Sequence, residues 1–485
     1  MKPLIKKGKV PYNMLTTNKN DAGIVFGMTS KGFKKYIVCK SPNKEGHTAI
    51  FGGSGSGKSA GHVIPTIVDA WNTPFVTIDI KGELKREYDK KSHKRDSKTF
   101  SLSSEEKTDY TTYDPYYFIN KNGEKNIVQN VQELVQAIVP LPPGIKEPFW
   151  IRATQNFLTG CILYYIDIGV NFIDTMIGIT TTPIRKLIDK IAKSSNQQAK
   201  IYVNHFIESA KLDESQMLVG ILQEAINRLS VFASDPQIID IFTPSENQIK
   251  WDELDNYNVF IQVPEDRLEQ YATVITVMIS QLIRTLERRP EMYSNEGTNV
   301  NPVLLMLDEF PRLGKMEVIT SAISTLRSKK VTICLVMQSL SQLDLIYGEK
   351  TRRIVLENCS YKVILNADDV DSRKYFSELI GSTLITKVVK NTHYDSSNQL
   401  SGYSKNESMS RELMIQPHEF GTMKDVIITT PDGVFRIDKA EYHSETYKNY
   451  KSRELKPSIG QKVMNFIKQI PVKIKGLFNK ITNLF

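Results

Sequence analysis

The sequence predicts an α/β protein with a mostly parallel sheet and an inserted all-α domain. Short apolar, strand-like segments recur along the chain, separated by long stretches with helical periodicity. This alternation is typical of a parallel sheet covered by helices on both faces. One stretch, 126–248, has helical periodicity and few strand-like segments, so we interpret it as an insertion into the sheet domain.

The order of these segments predicts four parts. Residues 1–46 form short strands and turns that join the core, 47–125 and 249–440 form the sheet domain, and 441–485 form a basic tail. The polar segment 388–410 predicts a mobile surface loop. The sheet strands are expected at 47–51, 75–80, 259–263, 303–307, 331–337, 361–365 and 426–430.

Charge and cysteine content exclude some classes of protein. The formal net charge is +9, but residues 1–9 and 455–485 carry ten lysines and no acid, so the rest of the chain is nearly neutral. Composition alone therefore does not indicate that the part of the chain between these ends binds DNA. The four cysteines form no CxxC pair, which excludes a zinc ribbon and favours a reducing, cytoplasmic setting.

The C-terminal tail has the pattern of an amphipathic helix. Apolar residues recur at helical spacing between Val463 and Leu484, accompanied by lysines, with Pro471 predicting a kink. This pattern is typical of interfacial helices, so peripheral membrane contact through 458–485 is one expectation. The other expectation is that this helix docks on the protein itself or on a partner. No segment has the ~18 to 20 uninterrupted apolar residues that span a bilayer.

A glycine-rich loop after the first predicted core strand matches the phosphate-binding pattern GxxxxGK[ST]. Glycines let backbone N–H groups surround a phosphate, and the following helix adds its positive N-terminal end. Lys58 is expected to reach the β- and γ-phosphates of ATP, and Ser59 to ligate Mg²⁺. The residues predicted to bind nucleotide are Gly52, Gly53, Ser54, Gly55, Ser56, Gly57, Lys58 and Ser59.

Two acids follow a distant apolar strand, 303–307. Asp308 is expected to hold Mg²⁺ through water, and Glu309 to orient and deprotonate the attacking water. A glutamate at this position favours a hydrolase over a kinase. The two motifs together predict an ATPase.

Further catalytic candidates are less specific. Gln338 ends the strand 331–337 and is expected to sense the γ-phosphate. Arg327 precedes it by 11 residues, and in ring ATPases such an arginine can enter the neighbouring subunit's site. Alternatives to Arg327 are Arg352, Arg353 and Arg373. Asp79 either supports the Mg²⁺ water shell or caps a helix with Glu83 in its first turn.

In order along the chain, these motifs resemble the type IV secretion coupling proteins, the hexameric ATPases of bacterial conjugation. The resemblance extends from about residue 45 to 435. It rests on Glu45-Gly46-His47 before the phosphate loop, Asp79-Ile80-Lys81-Gly82-Glu83, Tyr113-Asp114-Pro115, Glu147-Pro148-Phe149-Trp150, Leu307-Asp308-Glu309-Phe310-Pro311-Arg312-Leu313-Gly314, Gln338-Ser339, Asn358-Cys359 and Arg411-Glu412-Leu413.

The resemblance implies a RecA-like P-loop NTPase core, a homo-hexamer in the active state, and an all-α part facing the substrate. It implies that the protein recruits a relaxase-bound single DNA strand and drives it to a type IV secretion channel. It also implies that Lys58, Ser59, Asp308, Glu309, Gln338 and Arg327 have the roles given above.

Most family members begin with transmembrane helices, and this sequence predicts none before the phosphate loop. A cytoplasmic position at the inner face of the membrane is therefore expected, through a small membrane anchor protein or the secretion channel ATPases. Two alternatives remain open at this point. One is a double-stranded DNA translocase, and the other is an ATP-switched docking receptor for relaxase or protein substrates.

Overall fold

The computed structural model describes residues 5, 7–103, 111–121, 126–141, 148–211, 216–394 and 399–448. The predicted amphipathic helix of the tail therefore lies outside the described residues. The strands are β1 Leu15–Thr16, β2 Ile24–Lys31, β3 Lys34–Lys40, β4 Thr48–Phe51, β5 Phe75–Asp79, β6 Asp96–Ser101, β7 Tyr257–Gln262, β8 Val303–Leu307, β9 Val331–Met337, β10 Tyr361–Ile364, β11 Ser382–Tyr394, β12 Leu400–Leu413, β13 Val426–Thr430 and β14 Gly433–Ile437.

The α-helices of the described residues lie mainly between β6 and β7 and after β7. They are α1 Glu83–Asp89, α2 Pro115–Lys121, α3 Ile127–Ile138, α4 Phe149–Asp167, α5 Phe172–Thr181, α6 Ile184–Lys193, α7 Gln197–Val203, α8 Ile207–Lys211, α9 Gln216–Ser234, α10 Pro236–Ile241, α11 Ala272–Glu287, α12 Glu317–Leu326, α13 Leu340–Asn358, α14 Val370–Ile380 and α15 Glu445–Lys448.

A nine-stranded sheet forms the centre of the protein, in the order β14-β13-β10-β4-β9-β8-β5-β7-β6. The seven strands from β10 to β6 are parallel, β13 pairs antiparallel with β10, and β14 pairs antiparallel with β13, so β14 runs in the same direction as the seven. All seven predicted strands are confirmed, as is the α/β class with a mostly parallel sheet and a helical segment inserted in it. The sequence analysis missed β6 and β14.

The two faces of the sheet are covered differently. Strand residues alternate between the faces, so Leu305 and Leu307 join the larger core with the helices, whereas Leu304 and Met306 join a second core. The second core also contains the N-terminal antiparallel sheet β1-β3-β2. This sheet therefore covers the face opposite to α11 and α12.

The helix predicted after the phosphate loop has an unusual form. Two π-helical segments, Ser59–Val63 and Pro65–Ala70, replace one regular α-helix. Ile64 between them has α-helical dihedrals, so the helix continues, and Pro65, which has no N–H to donate to the preceding turn, begins the second segment. The first segment still begins at Ser59, so the loop ends in a helical N-terminus as the sequence predicted.

The prediction of a surface loop at 388–410 is wrong. The described residues of this segment belong to β11 and β12, which pair as a long antiparallel hairpin. β11 contains several β-branched residues, among them Ile385, Val388 and Val389, which favour a strand, but the many serines and asparagines around them are typical of loops.

Lys40 is an ionisable residue within the second core. Its side chain is 1% exposed, and Nζ donates to Thr332 Oγ1 at 2.9 Å. Burial lowers the pKa of Lys40 to about 7. The folded state therefore binds fewer protons than the unfolded state between about pH 7 and the ordinary lysine pKa of about 10.4, so this residue's contribution to stability improves as pH rises.

We expect Lys40→Met to stabilise the protein by about 2–4 kcal/mol at pH 6.5, because the cost of burying the ammonium disappears. The gain should shrink towards pH 9, where Lys40 is already neutral in the folded state. Denaturant unfolding at both pH values measures the difference. Lys34→Met, at an exposed position of the same strand, serves as the control. A gain that does not change with pH would contradict the prediction.

Candidate nucleotide-binding and catalytic site

The predicted site residues follow three neighbouring parallel strands. The phosphate loop follows β4, Gln338 follows β9, and the acidic pair follows β8, with β9 between the other two strands. Because the carboxyl ends of parallel strands meet at one edge of the sheet, these residues share that edge, where open α/β sheets bind ligands.

The phosphate loop has the backbone that a phosphate cradle requires. Gly55 and Gly57 have φ of 69° and 89°, which side chains with a Cβ rarely adopt. Gly53 N donates to Asn366 Oδ1 at 2.8 Å, and a Cβ at Gly53 would clash with Asp368. A glycine is therefore needed at position 53 for packing, in addition to any approach of a ligand.

Lys58 lies over this loop. Its Nζ donates to Gly52 O at 2.6 Å and Gly53 O at 3.1 Å, and burial lowers its pKa. The carboxylates of Asp308 and Glu309 act in the opposite direction and favour the charged form. The ammonium thus lies where the loop backbone and the acidic pair meet, which suits a role in binding terminal phosphates.

Ser59 and Asp308 are in direct contact, although 249 positions separate them in the sequence. Ser59 Oγ donates to Asp308 Oδ2 at 3.0 Å, and Glu309 N donates to Oδ1 at 3.0 Å. Burial raises the pKa of Asp308 to about 6. A hydroxyl and a carboxylate are hard oxygen donors, so the pair fits Mg²⁺, and a divalent cation would offset the cost of burying the carboxylate.

Glu309 has a left-handed backbone, with φ of 52°. Its carboxylate contacts Arg312 Nη1 at 2.9 Å and Lys81 Nζ at 3.7 Å. A non-glycine residue in this conformation is uncommon and costs on the order of 1 kcal/mol, so its surroundings must hold it there.

The structure does not bring every candidate to the acidic pair. Among the described contacts, the Gln338 amide bonds Gln342 Nε2 at 3.4 Å in the first turn of α13, and Ser339 Oγ caps that helix. Gln338 lies at the expected edge of the sheet, beside the loop and the acids rather than bonded to them.

Arg327 lies at the opposite edge of the sheet, before β9 begins. Its Nε donates to Glu45 Oε2 at 2.8 Å, and Tyr293 donates to the other oxygen of Glu45. The seven residues of β9 span about 23 Å, so Arg327 cannot reach Lys58 of its own chain. A catalytic role of Arg327 would have to be exerted on another subunit.

The alternative arginines have partners in their own chain. Arg352 is buried and pairs with Asp344 at 2.7 Å, and Arg353 pairs with Glu349 at 2.5 Å. Arg373 Nε donates to Ala367 O at 2.7 Å, so it stabilises the loop that bears Asn366.

Asp79 accepts a hydrogen bond from the start of a helix in this structure. Its Oδ2 accepts from Lys85 N at 2.9 Å, in the first turn of α1, and burial raises its pKa. Asp79 also lines a small cavity together with Ser59 and Asp308. The structure therefore favours the helix-capping interpretation and leaves the carboxylate next to the predicted Mg²⁺ position.

Sequence reasoning missed three residues of the loop's surroundings. Asn366 and Asp368 contact Gly53, and Lys439 Nζ donates to Ser56 O at 2.8 Å. Asn366 could have been found, since it follows the end of β10 at the same edge of the sheet. Lys439 could not, because it follows the end of β14, a strand that the sequence analysis did not predict.

Within the described part of the chain, no helix is both long and apolar enough to cross a membrane.

Two solved structures of the conjugative coupling protein TrwB have the same fold. The unbound form of a variant designated TrwBdeltaN70 matches with a TM-score of 0.60 and 16% identity over 82% of this chain and 85% of that chain. The complex of TrwB with the non-hydrolysable ATP analogue ADPNP matches with a TM-score of 0.61 and 16% identity over 81% and 85%. The predicted RecA-like P-loop fold is thereby confirmed.

Sequence relatives come from conjugation and DNA transfer. VirD4 of Rhizobium radiobacter is 25% identical over 439 residues, which are 87% of this chain and 60% of VirD4. TraG of Escherichia coli is 24% identical over 361 residues, 70% of this chain and 56% of TraG. The chain thus spans about 60% of the length of these relatives.

The family profile described as type IV secretory system conjugative DNA transfer matches residues 2–466. This match covers nearly the whole sequence and includes both halves of the site described above. The chain therefore belongs to the type IV secretory system conjugative DNA transfer family.

Proposed function

We propose that the protein is a Mg²⁺-dependent ATPase that acts as a coupling protein in conjugative DNA transfer. The contact between Ser59 and Asp308 is the observation that carries this proposal. It joins the phosphate loop to the acidic pair that follows β8, and it brings together two oxygens that can ligate a metal, beside Lys58. The TrwB complex with ADP and Mg²⁺ supports the same nucleotide and cation.

Each residue of the site has a role in the proposed hydrolysis. The backbone N–H groups of 52–59 and the ammonium of Lys58 bind the phosphates. Ser59 and Asp308, the latter through water, would hold Mg²⁺, which would supply positive charge beside the phosphates. Glu309 orients the attacking water and accepts its proton. Gln338, at the end of the intervening strand, is proposed to sense the γ-phosphate.

The proposed substrate is a relaxase-bound single DNA strand, delivered to a type IV secretion channel. The helical segment 126–248 is proposed to face this substrate, and the sheet domain, 47–125 and 249–440, to assemble as a homo-hexamer. We also propose that the protein works in the cytoplasm at the inner face of the membrane. A small anchor protein, the channel ATPases or the tail 458–485 would hold it there.

The test is ATP hydrolysis with and without single-stranded DNA, with Lys58→Ala as the control. We expect hydrolysis that DNA stimulates and that Lys58→Ala abolishes, because the substitution removes the cation on the phosphates. Double-stranded DNA of equal length tests the alternative of a duplex translocase. Lys58-dependent hydrolysis that neither DNA changes would contradict the DNA motor and favour the docking receptor.

A further inference from the structure

Arg312 connects the proposed catalytic glutamate to a loop of the sheet domain. Its Nη1 donates to Glu309 Oε2 at 2.9 Å and to Glu265 Oε1 at 2.5 Å. Its backbone N also donates to Glu309 O at 2.8 Å. Arg312 therefore fixes both the main chain and the side chain of Glu309.

This arrangement explains how the unusual backbone of Glu309 persists. A left-handed conformation needs compensating contacts. These come from the preceding residue, Asp308, and from Arg312, three residues further along the chain. Arg312 is 35% exposed, and ion pairs at such positions contribute little to stability. Its effect is consequently on the geometry of the carboxylate rather than on the folding free energy.

The second partner of Arg312 extends the connection towards the inserted helices. Glu265 stands near the start of the loop 264–271, between β7 and α11. At the other end of this loop, Tyr271 OH donates to Asp235 Oδ2 at 3.0 Å and Gln270 Nε2 donates to it at 3.3 Å. Asp235 caps α10 of the helical segment. Hydrogen bonds at the two ends of the loop 264–271 thus connect it to Arg312 on one side and to the helical segment on the other.

We infer that Arg312 is a positioning residue, which aims the Glu309 carboxylate and, through Glu265, ties it to the loop that contacts the helical segment. This inference rests on the proposed function for its catalytic part. Nothing in it requires Arg312 to touch nucleotide, so the residue should affect turnover and not binding.

The test replaces Arg312 by glutamine and measures steady-state hydrolysis, binding of a fluorescent ATP analogue and amide hydrogen exchange. We expect kcat to fall about 10- to 100-fold, the range for a misaimed catalytic group, with KM and nucleotide affinity unchanged. Arg312→Lys should restore part of kcat, because an ammonium can still bond both carboxylates. Exchange in 264–271 should become faster in the nucleotide-free Arg312→Gln protein.

Lys315→Gln is the matched control, since it removes a nearby cation that pairs with Glu317 and not with Glu309. It should behave as the wild type. An Arg312→Gln protein with unchanged kcat, or with KM raised in step with the loss of kcat, would overturn the positioning role. If the wild type shows no Lys58-dependent hydrolysis, the proposed function fails, whereas unchanged exchange in 264–271 would overturn the tie to the loop independently.

Discussion

Glu309→Gln is expected to lower ATP hydrolysis about 10²- to 10⁴-fold, the usual contribution of a general base. Glutamine has the same shape and keeps an oxygen for Arg312, but its amide cannot accept a proton from water. Nucleotide and Mg²⁺ binding should remain, because Lys58, Ser59 and Asp308 are untouched. Single-turnover hydrolysis and equilibrium binding of a fluorescent ATP analogue measure the two effects separately.

The control for this prediction is Glu83→Gln. Glu83 lines the same small cavity as Glu309 but stands in the first turn of α1. Its substitution should leave hydrolysis near the wild-type rate. Hydrolysis within about tenfold of wild type in Glu309→Gln would contradict the role of Glu309, because loss of a general base costs more than that.

Conformation and charge at Glu309 support this choice of base. Asp308, its neighbour, is bonded to Ser59, and burial raises its pKa to about 6, so its oxygens are engaged at the predicted Mg²⁺ position. Glu309 instead contacts two cations, Lys81 and Arg312. These contacts support the proposal that Asp308 holds the metal and that Glu309 accepts the proton.

The sequence was sufficient to predict the central strands and the motif residues at their ends. A buried parallel strand appears as a short apolar run, and a phosphate loop requires glycines, so both leave a local pattern. The bond between Ser59 and Asp308 follows from that pattern once the two strands are placed near each other. This is why the sequence could predict which motif residues meet at this edge of the sheet.

Other features depend on contacts that leave no local pattern. The role of Arg312 arises from its distance to Glu265, 47 positions away, and the pairing of Arg327 with Glu45 spans 282 positions. The hairpin of β11 and β12 was mistaken for a loop because its many serines and asparagines are typical of loops. For the two arginines a long-range pairing decides the structure, and the sequence alone does not show it.

The resemblance motif Glu45-Gly46-His47 has a structural explanation. His47 Nδ1 accepts from Ile333 N at 3.0 Å, and Nε2 donates to Ile323 O at 2.5 Å, so this buried ring is neutral and joins β4 to β9 and α12. Burial lowers the pKa of His47 to about 4. Glu45, two residues earlier, bonds Arg327 at the end of α12. The motif therefore fixes the position of Arg327.

Arg327→Ala is expected to lower hydrolysis by about 10³-fold if this arginine stabilises transition-state charge in a neighbouring subunit. Within its own chain Arg327 lies at the edge of the sheet opposite to Lys58, and its side chain is 53% exposed, as a residue that reaches another subunit requires. Nucleotide binding should be retained. Arg353→Ala, which removes an exposed arginine paired with Glu349, is the control and should have little effect.

Mixing variants distinguishes action on a neighbour from action within one chain. Arg327→Ala protein keeps an intact nucleotide site, and Lys58→Ala protein keeps an intact Arg327. At some interfaces of a mixed ring, an intact nucleotide site therefore meets an intact Arg327 of the neighbouring subunit. An equimolar mixture should then hydrolyse ATP faster than the sum of the two proteins measured alone. A mixture that shows only the summed rates, under conditions where native mass spectrometry detects mixed oligomers, would contradict the role of Arg327. A large loss in Arg353→Ala would transfer that role to Arg353.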